Sequence, residues 1–125
     1  MKKRVVPIYG VTVYFTNDPE EARAFFKAHE AEEESDKKIG LNGGVYVAFE
    51  DNSDKTWRLM CVFDGMDSYV AHESFHAAIE LSEYLGINID SKNSEPVCYL
   101  AQWFFETMLK LFPDKPKGPV LQEIA

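Results

Sequence analysis

At 125 residues, with 46% hydrophobic and 27% charged side chains, the chain is an ordinary single-domain globular sequence, which excludes wholesale disorder. Its 13 Lys and Arg against 21 Asp and Glu leave a net charge of −8, a balance that argues against a nucleic-acid binder because phosphate neutralisation needs a basic face. Cys61 and Cys98 lack CxxC spacing and read as reduced, packed thiols, and no run approaches the roughly 18 apolar residues of a membrane span. The start, Met1-Lys2-Lys3-Arg4 before an apolar stretch, is interrupted by Pro7 and Gly10 and leads to no small-residue cleavage site. A soluble, cytoplasmic protein without a membrane partner is therefore expected.

Residues 4–16, rich in Val, Ile, Tyr, Phe and Thr, predict a first strand broken or bent at Pro7 and Gly10. Asn17-Asp18-Pro19-Glu20-Glu21 then predicts a helix start, with Asp18 as cap and Glu21 closing an Asp-x-x-Glu capping box. Ala22, Phe25, Phe26 and His29 recur at helical spacing and carry that helix to about residue 33, before a charged stretch and a glycine loop at 40–44. Val45, Val47 and Phe49 alternate as a strand, Asp51-Asn52-Ser53-Asp54 turns, and Trp57, Leu59, Cys61 and Phe63 alternate again, which together predict a β-hairpin. Ser68 to Leu85 is helical and stops at Gly86, and a last helix runs from Ser94–Pro96 to about Phe112. Residues 113–125, opening on a Pro-rich segment, are an extended tail. The expectation is one α+β domain over 1–125: a small antiparallel sheet of about three strands with three helices.

His72-Glu73-Ser74-Phe75-His76 is an HExxH sequence inside a helical run. Histidines four residues apart lie one above the other on a helix, so both imidazoles can converge on one metal ion, and neutral imidazole suits Zn2+. Glu73 sits about 100° round the helix from His72, within reach of a water held there, and can accept its proton. A bland reading, two histidines sharing a polar face with Glu80 and Glu83, is weaker because the motif falls within a helix, where it can work. A catalytic zinc keeps three protein ligands and an open position. Glu95, nineteen residues after His76 at the start of the next helix, is the leading third ligand, since a helix–loop–helix can fold it back; His29, Asp90 and Asp64 are the rivals.

The HExxH with Glu95 downstream in Asn93-Ser94-Glu95-Pro96 resembles the gluzincin branch of the zincin metallopeptidases. It is especially similar to very small zincin-like proteins, some encoded by phages and prophages. The likeness covers residues 68–106 and departs at Pro96, where larger gluzincins continue a longer helical signature. It implies that His72, His76 and Glu95 hold zinc and that Glu73 is the general base; it assigns no oxyanion stabiliser, a role for which Tyr99, one turn beyond Glu95, and Tyr69 are the candidates. The implied activity is a zinc-dependent metallopeptidase acting on a peptide or protein. The alternative is a zincin-like protein-binding module, metal-loaded or metal-free, that hydrolyses nothing.

Other features read more plainly. His29 is a packed side chain before it is a neighbour of the metal. The acidic run Glu30–Asp36 is a solvated helix end before it is a docking patch for a basic partner. Trp57, Trp103, Phe104 and Phe105 are core or an oligomer surface. The Gly-Leu-Asn-Gly-Gly stretch lacks the Lys-Ser/Thr and following helix of a phosphate loop, and no Gly-x-Ser-x-Gly occurs.

Overall fold

A computed structural model describes residues 1–31, 39, 43–64 and 67–113. Its elements are β1 (Lys2–Val5), β2 (Thr12–Thr16), α1 (Pro19–Ala28), β3 (Gly44–Glu50), β4 (Thr56–Val62), α2 (Asp67–Leu85) and α3 (Glu95–Leu111). The architecture is α+β, and among the described residues three helices accompany a four-stranded sheet of order β1-β2-β4-β3. The hairpin predicted over 45–63 is present, and so are the two helices predicted after it.

The sheet departs from the expected three antiparallel strands in two ways. The first predicted strand is two, β1 and β2, paired antiparallel with Lys2 opposite Phe15 and Val5 opposite Thr12. Between them the chain reverses fully: the Val6 N–H donates to Val11 O, and Ile8 and Gly10 take positive φ angles of 72° and 69°. The break expected at Pro7 and Gly10 is thus a full reversal, made by residues able to hold this turn. The second departure is that β2 and β4 are parallel, with Tyr14 beside Leu59 and Thr16 beside Cys61. After β2 the chain passes through α1 and returns at the far edge as β3, so β4 runs back alongside β2 in the same direction.

Strand alternation divides the interior in two. Val13, Phe15, Tyr46, Met60 and Val62 face α2 and α3, meeting Val70, Ala77, Ala78, Leu81, Leu100, Phe104 and Met108. Leu59, Cys61, Val45 and Val47 face α1, meeting Ala22, Phe25 and Phe26. The spacing of Leu100, Phe104 and Met108 aims one stripe of α3 inward. Each large side chain so buried contributes about 1.5–3 kcal/mol. His29 stacks on Trp57, 3.6 Å between ring centroids, in the α1 layer, which makes it the packed residue the sequence suggested. Of the aromatic residues, Trp57 packs in that layer, while Phe104 is core and Trp103 and Phe105 pack against the α2–α3 side.

The helix ends differ in detail from the sequence reading. Asp18 caps α1 by accepting the Glu20 N–H at 2.9 Å. The capping box does not close, because Thr16 takes both loose ends: its hydroxyl donates to Glu21 Oε1 and accepts from the Asp18 N–H. Helix α1 stops at Ala28, short of residue 33, with Glu30 at φ 65°, a left-handed conformation that ends a helix. The acidic positions 32–36, the loop positions 40–42 and the tail from residue 114 lie outside the described residues. No helix of the described residues is long and apolar enough to cross a membrane.

Both cysteines are free, Cys61 buried and Cys98 exposed. Burial, then the charges of Glu73 and Glu21, pushes the Cys61 thiol well above its ordinary range. The thiolate is the reactive form, so a thiol reagent should modify Cys98 alone in the folded protein and reach Cys61 only on denaturation. Fast modification of both in buffer would contradict the packing.

Candidate metal centre

Helix α2 positions the HExxH residues. Val70, Ser74, Ala77, Ala78 and Leu81 turn into the protein, and the opposite stripe leaves His72, Phe75, His76 and Ile79 exposed. His72 and His76 converge as their spacing predicts: their Nε2 atoms are 3.1 Å apart, and the ring centroids 4.7 Å. Two zinc–nitrogen bonds of about 2.0–2.1 Å at a tetrahedral angle set their nitrogens roughly 3.3 Å apart. The pair is therefore within a few tenths of an ångström of the spacing that one ion needs. Two ring nitrogens this close can share a proton or turn both lone pairs on a cation.

Glu73 points elsewhere. It is 6% exposed, its Oε1 accepts the Tyr46 N–H at 2.8 Å, and its Oε2 lies 3.9 Å from His72 Nε2. Strand β3 is an edge of the sheet. In an antiparallel pair alternate residues direct their N–H and C=O groups away from the partner strand. The Phe63 N–H bonds Gly43 O, which sets the phase of that alternation and turns Tyr46 outward. Glu73 thus reaches from α2 to an outward donor of the edge strand, a partner that no reading of the sequence identified.

Two glycines allow this approach. A Cβ at Gly44 would lie 2.9 Å from Cys61 O and 3.3 Å from Glu73 Cγ; one at Gly43 would lie 2.6 Å from the Tyr69 ring. The first obstacle is backbone and cannot swing aside. Gly44→Ala should cost about 1–3 kcal/mol, by analogy with core overpacking, and push Glu73 from Tyr46. Gly43→Ala should cost less, because the Tyr69 ring can rotate. Urea denaturation of the two variants measures the difference, and equal stabilities would refute the argument. Gly43, Gly44, Ser68, Tyr69, His72 and Glu73 line a cleft of about 290 Å3.

The remaining sequence candidates fall outside this cleft's lining. Glu95 is exposed at the first position of α3, as the dipole reading of an acidic residue at a helix start would also have it. Tyr99 is exposed one turn further along. Asp90 is occupied by its own loop, accepting the N–H groups of Lys92 and Asn93 at 2.8 Å each. Asp64 is buried, and His29 is in the other layer on Trp57. Among the described residues no group of three or more His, Cys, Asp or Glu side chains is gathered around one point. The structure brings His72 and His76 together, with Glu73 Oε2 3.9 Å from His72 Nε2, and gathers no third ligand, Glu95 included, around the pair.

Helix α2 has a second polar contact with the sheet that the sequence reading missed. The Arg58 guanidinium donates to both Glu80 oxygens, Nε to Oε1 at 2.8 Å and Nη2 to Oε2 at 3.2 Å, and the Tyr46 hydroxyl donates to Oε1 at 2.6 Å. Glu80, expected on the polar face with the histidines, is instead turned to the sheet. Burial first, then the Glu80 charge, holds the Tyr46 proton well above the usual phenol range. Burial works against the Arg58 charge, but Glu80 outweighs it and the guanidinium holds its proton more tightly than usual. The alternation along the two strands was legible; that Tyr46 and Arg58 face α2, and their partner there, were not.

No protein-family model, no curated protein and no solved structure matches the chain.

Proposed function

We propose that the protein is a small zinc-dependent hydrolase of metallopeptidase type, with the ion on His72 and His76 and Glu73 as general base. The observation that carries this reading is the 3.1 Å between the two Nε2 atoms, joined to a cleft in which Glu73 stands beside His72. When bound, zinc supplies Lewis acidity toward a carbonyl and acidifies water. Glu73 takes the proton of the attacking water and passes it to the leaving amine. The Tyr46 N–H fixes one carboxylate oxygen, so the side chain enters the reaction already oriented. Glu95 remains the proposed third ligand and Tyr99, or Tyr69 at the cleft wall, the proposed oxyanion partner. Glu95 at the head of α3 would need α3 or its own side chain to come nearer the histidines when metal binds.

A second reading, a metal-loaded binding module without hydrolysis, is favoured by one observation: Glu73 is buried and bonded to the β3 edge, so a structural role accounts for it. One experiment separates the two. Zinc-loaded wild type should cleave members of a peptide library, and Glu73→Gln should keep its zinc while losing about a hundredfold or more of that cleavage. Cleavage unchanged by Glu73→Gln removes the general base; zinc binding without any cleavage selects the binding module.

A further inference from the structure

At the other end of β4 from the histidines lies a cleft of about 240 Å3 that the hydrolase reading does not use. Lys3, Thr12, Tyr14, Lys55, Thr56 and Trp57 line it, together with Arg58. It exists because the parallel ladder between β2 and β4 stops at Tyr14 and Leu59, so the strands part where Thr12 and Thr56 begin them. Its aromatic wall is held from several sides. Trp57 is stacked by His29, donates its indole N–H to Asp51 Oδ2 at 3.0 Å, and lies 5.9 Å from the Tyr14 ring between centroids.

The polar chemistry of the lining is one-sided. Lysine ammonium groups only donate, and threonine and tyrosine hydroxyls can donate. Among the described residues no carboxylate lines the cleft, in a chain with 21 acidic residues. Among the described residues neither lysine is ion-paired with a carboxylate; the Lys55 ammonium rests 4.1 Å over the Trp57 ring instead. Two acids that touch lining residues are committed, Asp51 to the Trp57 indole and Glu80 to Arg58. Arg58 therefore brings no spare charge.

We propose that this cleft binds a phosphate monoester, its dianionic head between Lys3 and Lys55 with Thr12 and Thr56 as hydroxyl donors and its organic part against Tyr14 and Trp57. Two lysines match two negative charges, whereas a monocarboxylate leaves one of them uncompensated. Donors reaching in from three strands and a turn suit a tetrahedral group with several acceptor oxygens. The volume takes one such group with a small substituent. An extended nucleic acid needs a basic stripe that this acidic chain lacks.

The test is a fluorescence titration of Trp57 in a Trp103→Phe background, treated with EDTA so that a metal at His72 and His76 cannot hold the anion. Inorganic phosphate and phenyl phosphate are the probes, and acetate at matched ionic strength is the control. Phenyl phosphate should bind saturably and at least as tightly as phosphate, with acetate about tenfold weaker or worse. Lys3→Ala with Lys55→Ala should weaken binding by about tenfold or more, while Lys3→Arg with Lys55→Arg should keep it and report that the fold is intact. His72→Ala with His76→Ala should leave it unchanged. No saturable signal, an equal response to acetate, indifference to the lysine pair, or loss in the histidine variant would each overturn the proposal.

Discussion

Replacing His72 and His76 together by alanine is expected to abolish zinc binding while leaving the metal-free fold as stable as before. Both imidazoles are exposed, His72 by 66%, and their mutual contact is an exposed one. Surface substitutions of this kind usually fall within about ±0.5 kcal/mol. Stabilisation of the wild type by zinc then isolates the site. A ligand that binds only the folded chain contributes about 2.7 kcal/mol at a hundredfold excess over its dissociation constant, seen as a rise in Tm. Elemental analysis should give one zinc per wild-type chain and none for the double variant, with the zinc-dependent rise in Tm lost in parallel. Either single variant should retain at most weak binding, because one exposed imidazole is a poor site. Zinc retained by the double variant would place the metal elsewhere, and wild type that takes up none would remove both metal readings.

Glu80→Ala is expected to be the most damaging single change outside the apolar core, at about 3 kcal/mol. It strands a guanidinium that is 5% exposed, and it leaves the buried Tyr46 hydroxyl without its acceptor. Removing one partner of a buried ion pair costs about 3–5 kcal/mol, and the partial exposure of Glu80 puts this case at the lower end. The stacking of Arg58 over the Tyr84 ring, 4.3 Å to its centroid, softens the loss without replacing the carboxylate. For a chain of this length Tm should fall by roughly 10 °C. Adding Arg58→Met should recover much of the stability, since an apolar side chain of similar length carries no charge to strand. A double variant as unstable as Glu80→Ala alone would show that the damage lies in the Tyr46 hydroxyl or in packing, not in the unpaired cation. The outcome bears on the histidine site, because Glu73 and Glu80 tie the same helix to the same strand residue, Tyr46.

Which properties were legible in advance follows from how local their causes are. The convergence of His72 and His76 could be read directly, because four residues apart on a helix is a local distance, and Ser68 to Leu85 carries a helical pattern throughout. The hairpin was legible for the same reason: alternation on both sides of Asp51-Asn52-Ser53-Asp54 implies antiparallel neighbours. The pairing of β2 with β4 was not. Nothing in Tyr14 or Leu59 states which strand lies alongside, and a segment that crosses by a helix can return to either edge. The early end of α1 was hidden too, since Glu30 has no visible reason to adopt a left-handed backbone.

The candidate site divides along the same line. By itself the sequence determined that the two imidazoles share a helix face, that a carboxylate stands next to them, and that an acidic chain of 125 residues has room for one domain. Only the tertiary structure decided where that carboxylate is spent. The choice depended on β3 being an edge with an outward N–H at Tyr46, and on Gly44 letting α2 come close enough to answer it. It also decided that Glu80 leaves the histidine face for Arg58, and that Lys3 and Lys55 line one cleft. Each of these joins residues far apart in the chain, and their spacing is set by the packing of whole elements, which local periodicity does not encode.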